Sequence, residues 1–193
     1  MLATLGRYQI LAELGQGGMG IVYKAADPVI GRMVAIKTIS LYLPKDELAE
    51  YEARFNQEAK AAGRLNHPNI VTIYDVGEEG NVAYMAMELL EGKELRELVA
   101  SGNPLPAAQA VDVIMQVAEG LAYAHDHQVV HRDIKPANIM IVRDGLVKIT
   151  DFGIARMRQS EVKTMTGYVL GSPKYMSPEQ ITGKRADHRS DIF

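Results

Sequence analysis

The sequence predicts an α+β protein of two lobes: a five-stranded antiparallel lobe with one helix over 1–90, then a mainly helical lobe over 91–193. Three observations carry this prediction. The first ninety residues hold five short segments rich in Ile, Val, Tyr and Thr, punctuated by Gly and Pro, as strands are. Only one stretch among them, 46–65, is dense in Ala, Glu, Lys, Arg and Gln, which favour helix. Beyond Gly92 the apolar spacing shifts toward the 3.6-residue period of a helix.

The elements follow in order. Strands are expected over 8–14, 20–26 and 32–39, with glycines at 15, 17, 18 and 20 placed where a hairpin turn needs them. The helix over 46–65 carries Leu48, Tyr51, Phe55, Ala59 and Ala62 near one face; Gly63 weakens its end and His67-Pro68 stops it. Two strands over 70–76 and 81–88 are joined by a turn at 77–80, and the lobes meet near 89–92. Leu95, Leu98 and Val99 mark a short helix. Pro106 suits the first turn of a long one whose apolar face is expected to be Val111, Ile114, Met115, Ala118, Leu121 and Ala122. Short apolar strands reappear at 139–142 and 147–149.

Composition narrows the function classes. The chain has 193 residues, 47% of them apolar, which excludes a disordered chain. With 21 Lys+Arg against 24 Asp+Glu the net charge is −3, so the clustered positive charge of a general nucleic-acid binder is lacking. There is no cysteine, hence no disulfide, thiolate metal site or thiol nucleophile. The longest stretch without Asp, Glu, Lys or Arg, 98–111, is broken by Gly102, Pro104 and Pro106 and cannot be a spanning helix. The N-terminus lacks the basic-then-apolar pattern of a signal peptide.

Five stretches carry chemistry. Gly15-Gln16-Gly17-Gly18-Met19-Gly20-Ile21-Val22 fits G-x-G-x-x-G-x-V, whose glycines let backbone N–H groups approach phosphates. By itself the match is equally a flexible hairpin. A dinucleotide site would need strand, turn and helix, whereas Val22-Tyr23-Lys24-Ala25 continues as strand. Val34-Ala35-Ile36-Lys37 puts a Lys in an apolar strand, where it is either a solvated edge residue or an inward charge needing a partner such as Glu58. His131-Arg132-Asp133-Ile134-Lys135-Pro136-Ala137-Asn138 is followed, thirteen residues after Asn138, by Asp151-Phe152-Gly153. Met176-Ser177-Pro178-Glu179 comes last.

In this order and at this spacing, the set resembles the protein kinase signature. The resemblance covers the chain from Tyr8 to Phe193, and Gly-Gly-Met-Gly-Ile-Val-Tyr, His-Arg-Asp-Ile-Lys-Pro-Ala-Asn and Ser-Pro-Glu-Gln look most like the bacterial eukaryotic-like (Hanks-type) serine/threonine protein kinases. The resemblance implies the two-lobed kinase fold and transfer of the γ-phosphate of Mg-ATP to protein Ser/Thr hydroxyls, with Mn²⁺ as a substitute ion. It implies that Lys37 holds the α- and β-phosphates and pairs with Glu58. Asp133 then orients the substrate hydroxyl and takes its proton, and Lys135 contacts the γ-phosphate. Asn138 and Asp151 bind Mg²⁺. Leu14, Val22, Ala35 and Met140 enclose the adenine, Met87 is the gatekeeper, and the backbone from Glu88 to Leu90 bonds the adenine edge, beneath the loop Gly15, Gln16, Gly17, Gly18, Met19, Gly20 and Ile21.

Thr164 and Thr166 are the expected autophosphorylation sites, ahead of Ser160 and Tyr168, with Arg132 as a cation for the phosphothreonine and a homodimer as the arrangement for autophosphorylation. Ser172 is expected against the catalytic-loop Asp and Lys. Asp191 is expected to open a buried helix that anchors the catalytic loop. The family continues with further helices, and with an Arg that pairs with Glu179. The resemblance therefore implies a whole first lobe and an incomplete second one, poorly active and marginally soluble alone. The expected setting is the cytoplasm, as a free protein or as the cytoplasmic part of a membrane-anchored one, without nucleic-acid partners. Competing readings are a pseudokinase binding module, which the presence of Lys37, Asp133, Asn138 and Asp151 argues against, and an aminoglycoside-type small-molecule kinase, which lacks the H-R-D and P-E segments. His125, His127 and His131 look like a metal cluster, but the first two fall where the long helix ends and read more simply as structural or exposed.

Overall fold

A computed structural model describes residues 4–17, 20–40, 45–100, 102, 105–152 and 173–193. The chain forms two compact units, Met1–Ala59 with Thr72–Leu90, and Lys60–Val71 with Glu91–Phe193.

The first unit is an antiparallel sheet of β1 (Thr4–Leu5), β2 (Tyr8–Gly17), β3 (Gly20–Asp27), β4 (Arg32–Ser40), β5 (Ile73–Glu79) and β6 (Val82–Glu88), in the order β1-β2-β3-β4-β6-β5. Each of the five expected strand regions forms one, and Thr4–Leu5 adds a sixth strand by pairing with Tyr8 and Gln9. That strand is too short to show a period of two. Leu5, Tyr8, Ala25, Val34, Ile36, Tyr84 and Ala86 make its core. Helix α1 (Lys45–Ala62) buries Phe55, Ala59 and Ala62, three of the five residues expected on its face. The side chains of Leu48 and Tyr51 lie outside the described residues.

The second unit holds a three-stranded antiparallel sheet, β7 (Gly92–Glu94), β8 (Ile139–Val142) and β9 (Val147–Ile149), with helices α2 (Leu95–Ala100), α3 (Ala107–Asp126) and α4 (Pro178–Ile181). Strand β7 has no sequence signature beyond Gly92, where a Cβ would lie 2.3 Å from the Ile141 carbonyl oxygen, so only glycine admits the neighbouring strand. No helix among the described residues is long and apolar enough to cross a membrane.

Two expectations change. The sequence ran the first lobe continuously through 1–90 and began a strand at Ile70, yet Lys60–Val71 packs with the second unit and β5 starts only at Ile73. The reason is pairing: Val71 N–H donates to the Ile149 carbonyl at 2.9 Å, and Ile149 N–H donates to the Asn69 carbonyl at 2.8 Å. The Asn69 side chain adds bonds to Gln116 Oε1 (3.0 Å) and the Val147 carbonyl (2.9 Å), tying α3 to β9.

The buried face of α3 is also different. Val113, Val117, Gly120, Leu121 and Ala124 are buried, whereas Val111, Ile114 and Met115 are exposed. Both stripes satisfy the helical period. Gly120 decides between them, because a Cβ there would already be 3.0 Å from the Ile149 side chain and 3.2 Å from Asn69. The helix can approach β9 this closely only on its glycine side.

Candidate active site

In the first unit the register sets the expected nucleotide-binding residues. Gly15 pairs with Val22, Gln16 with Ile21 and Gly17 with Gly20, so the glycine segment is a β-hairpin. Gly18 and Met19 lie outside the described residues. Gly20 has φ +149, and a Cβ there would collide with the Thr38 carbonyl, which explains glycine at this end of the hairpin. Thr38 Oγ1 closes the base of the loop, accepting from Ile21 N–H at 3.2 Å and donating to the Ile21 carbonyl at 3.0 Å. Val22 faces Lys37, Ala35 faces Met87, and Lys37 faces Met85 across adjacent strands. Cross-strand partners share a face of the sheet, as do residues two apart. Val22, Ala35, Lys37 and Met87 therefore line one face, together with Met85, which sequence reading did not single out. Ala35 and Met87 are buried, Leu14 is exposed, and Lys37, Glu58, Glu88 and Leu90 are half-buried. Glu88 N–H donates to the Thr72 carbonyl at 2.9 Å.

The second unit holds the catalytic loop. Asp133 Oδ2 accepts from Lys135 Nζ at 2.6 Å and from Asn138 Nδ2 at 3.1 Å, and Asn138 Nδ2 also donates to the Asp133 carbonyl at 2.8 Å. The 3₁₀ turn Pro136–Asn138 brings these three residues together, since it folds the chain back within five residues. Just before it, Arg132 takes φ +67; Asp151 takes φ +68. Left-handed backbone at non-glycine residues costs on the order of 1–3 kcal/mol and persists where the surroundings enforce it. For Arg132 the enforcement is Asp191, whose carboxylate accepts Arg132 N–H at 2.6 Å and His131 N–H at 2.8 Å while contacting His125 Nε2 at 2.8 Å. Asp191 is buried and closes the 3₁₀ turn His188–Asp191. Asn138 and Asp151 sit at neighbouring strand ends, since Ile139 pairs with Ile149 and Thr150 N–H donates to the Asn138 carbonyl at 2.9 Å. Met140, half-buried on β8, pairs with Lys148.

His131 is fully buried, stacked edge-on to Phe152 with ring centroids 4.6 Å apart. Its Nε2 lies 2.8 Å from the Thr150 carbonyl and its Nδ1 3.2 Å from Asp133 N–H. A carbonyl only accepts and an amide N–H only donates, so the ring is neutral with its proton on Nε2. Burial pushes its pKa below the ordinary histidine value, partly opposed by Thr150 and the carboxylates of Asp191, Asp151 and Asp133. With the folded pKa depressed, the unfolded chain takes up the proton first as pH falls. Stability is thus expected to be whole above about pH 6.5 and to decline below it. Thermal melts from neutral to mildly acid pH check this, and a flat melting temperature over that window contradicts it.

Asn138 and Asp151 offer a donor set for a hard divalent cation. The Asn138 amide nitrogen faces Asp133, which turns the amide oxygen the other way. Among the described residues no three His, Cys, Asp or Glu gather to hold a metal alone. One carboxylate and one amide oxygen suit Mg²⁺, which keeps waters and completes its shell with substrate phosphates. The histidines are otherwise engaged: His125 meets Asp191, and His127 stacks on Tyr123 at 4.2 Å with Nδ1 2.8 Å from the Tyr123 carbonyl.

The protein kinase domain family matches residues 8–193. The chain belongs to the protein kinase family. It is 47% identical over 188 residues to the serine/threonine-protein kinase PrkC of Bacillus subtilis, covering 97% of this chain and 29% of that one. It is 44% identical over 193 residues to a probable serine/threonine-protein kinase PknB of Corynebacterium glutamicum, covering 97% of this chain and 30% of the relative. The solved kinase domain of Mycobacterium tuberculosis PknI superposes with a TM-score of 0.79 at 30% identity, over 97% of this chain and 70% of that domain. The chain therefore spans under a third of the length of these two curated relatives. Two residues of the candidate site escaped sequence reading. Met85 shows itself only through strand register, and Gln180 only through a contact 48 residues away in sequence. Gly153, Thr164, Thr166 and Ser172 lie outside the described residues.

Proposed function

We propose that this chain catalyses transfer of the γ-phosphate of ATP to Ser and Thr hydroxyls of protein substrates. The observation that supports it most is the Asp133 carboxylate, presented beside a Lys135 ammonium and an Asn138 amide on a backbone held in an unfavourable conformation. A carboxylate in this setting orients a hydroxyl and accepts its proton as the substrate oxygen bonds to the γ-phosphorus. The bond from that phosphorus to the bridging β–γ oxygen breaks, and ADP leaves with the electron pair. Lys135 neutralises charge on the γ-phosphate. Lys37, paired with Glu58, holds the α- and β-phosphates. Leu14, Val22, Ala35 and Met140 enclose the adenine beside Met87, the backbone from Glu88 to Leu90 bonds its edge, and the glycine segment lies over the phosphates. Asn138 and Asp151 would hold Mg²⁺, or Mn²⁺ in its place, which when bound neutralises phosphate charge. Thr164 and Thr166 are the proposed autophosphorylation sites, modified between two copies of the chain, and dependence on ATP places the reaction in the cytoplasm.

The test is incubation of purified protein with γ-labelled ATP, Mg²⁺ and a generic protein substrate. Label is expected on phosphoserine and phosphothreonine, and by mass spectrometry on Thr164 or Thr166. Transfer to water alone, or no transfer, overturns the reading. Phosphate found only outside 152–178 removes the autophosphorylation sites.

A further inference from the structure

The peptide between Arg132 and Asp133 is held at both of its polar ends. Its N–H, from Asp133, donates to His131 Nδ1 at 3.2 Å. Its carbonyl, from Arg132, accepts from Gln180 Nε2 at 2.7 Å. Gln180 lies on α4, 48 residues further along the chain. The other end of the same amide is also engaged: Oε1 accepts from Ser177 N–H at 3.0 Å and from the Ser177 hydroxyl at 3.1 Å. With donors on one side and an acceptor on the other, the orientation of the amide is settled.

The choice of residue is informative. Gln180 is the third residue of α4 and makes the return arm of a capping box with buried Ser177. A Glu serves that position as well as a Gln. Only the amide, however, can also donate to the Arg132 carbonyl, and a carboxylate there would set oxygen against oxygen. Capping alone does not require glutamine, so the second bond supplies the requirement.

Arg132 makes that bond consequential. Its φ of +67 is costly, and Asp191 restrains only the N–H side of the residue. Gln180 restrains the carbonyl side, from which the Asp133 carboxylate is carried. We propose that Gln180 is a positioning residue for Asp133, coupling the start of α4 to the direction in which the carboxylate is presented. The proposal rests on the functional reading above, in which Asp133 takes the substrate proton.

Three variants test it in the purified protein. Gln180→Glu keeps the capping acceptor and loses the donor, and Gln180→Met loses both. Thr182→Val weakens α4 from its other end, where the Thr182 hydroxyl donates only within its own helix, to the Pro178 carbonyl at 2.9 Å and the Glu179 carbonyl at 3.2 Å. Both Gln180 variants are expected to lower kcat about tenfold, the worth of one good hydrogen bond, with KM for ATP unchanged within about twofold. Thr182→Val is expected to lower the melting temperature and leave kcat alone. The proposal is overturned if Gln180→Glu keeps wild-type kcat, or if Thr182→Val loses as much kcat as Gln180→Glu, which would make α4 stability the cause. Asp133→Asn, run alongside, separates the two levels. If wild-type protein transfers phosphate and Asp133→Asn does not, a silent Gln180→Glu refutes the positioning role alone; if Asp133→Asn is fully active, the functional reading falls and takes this inference with it.

Discussion

Asp133→Asn is expected to lower phosphoryl transfer by about 10²- to 10⁴-fold, the range for loss of a positioned base, while the protein stays folded. The geometry explains both halves. Asn is isosteric with Asp, and its amide oxygen can occupy the Oδ2 position that accepts from Lys135 Nζ and Asn138 Nδ2. The backbone bonds of residue 133, to His131 Nδ1 and Asn138 Nδ2, do not involve the side chain and survive. What disappears is the negative charge and the proton affinity. Lys135, whose side chain is 13% exposed, then faces a neutral group, which weakens a short charge-assisted bond without emptying the site. ATP affinity is expected to change little, because this substitution leaves Lys37 and the glycine hairpin untouched. Single-turnover rates, ATP titration and a thermal melt together check the prediction. A folded variant that retains the wild-type rate removes Asp133 from its proposed role.

How far this site could be read in the sequence depends on how locally each part is built. The hairpin with Gly17 opposite Gly20 is legible because turn chemistry acts within a few residues. Asp133, Lys135 and Asn138 converge through a single 3₁₀ turn, so their motif already contains their geometry. The misplaced parts depend on partners distant in sequence. Residues 70 and 71 look like the start of a strand, but they pair with Ile149, far along the chain. Helix α3 offers two apolar stripes of equal period, and the close approach at Gly120 to β9 selects between them. Strand β7 is three residues long and exists because β8 lies beside it. Gln180 reads as an ordinary capping residue until the catalytic loop arrives at its amide nitrogen. For α3 periodicity gives the candidate faces and tertiary packing chooses between them; β7 and Gln180 are set by contacts that no local pattern carries.

Asp191→Ala is expected to be the most destabilising change to the second unit, by about 3–5 kcal/mol, the cost of breaking a buried charged network from one side. The Asp191 side chain is fully buried and accepts from two consecutive backbone N–H groups, those of His131 and Arg132, as well as meeting His125 Nε2. Alanine leaves these donors facing a void, and a buried amide without an acceptor costs about 1–3 kcal/mol by itself. Asp191→Asn should fall between wild type and alanine, since its one oxygen can serve one of the two N–H groups while its NH₂ opposes the other. The melting temperature is expected to drop by about 10 °C for alanine, at roughly 2–4 °C per kcal/mol for a chain of this size. Hydrogen exchange gives the local readout: the amides of His131 and Arg132 should lose protection before the rest of the unit does. A melting temperature within about 2 °C of wild type would contradict the assignment. The consequence also reaches the chemistry. With Asp191 gone, the acceptor of the Arg132 N–H that offsets the φ of +67 is lost, so that residue is expected to relax toward ordinary backbone and carry Asp133 with it. Activity per folded molecule should therefore fall together with stability in this variant, because the carboxylate that holds the fold here is also the one that aims the catalytic loop.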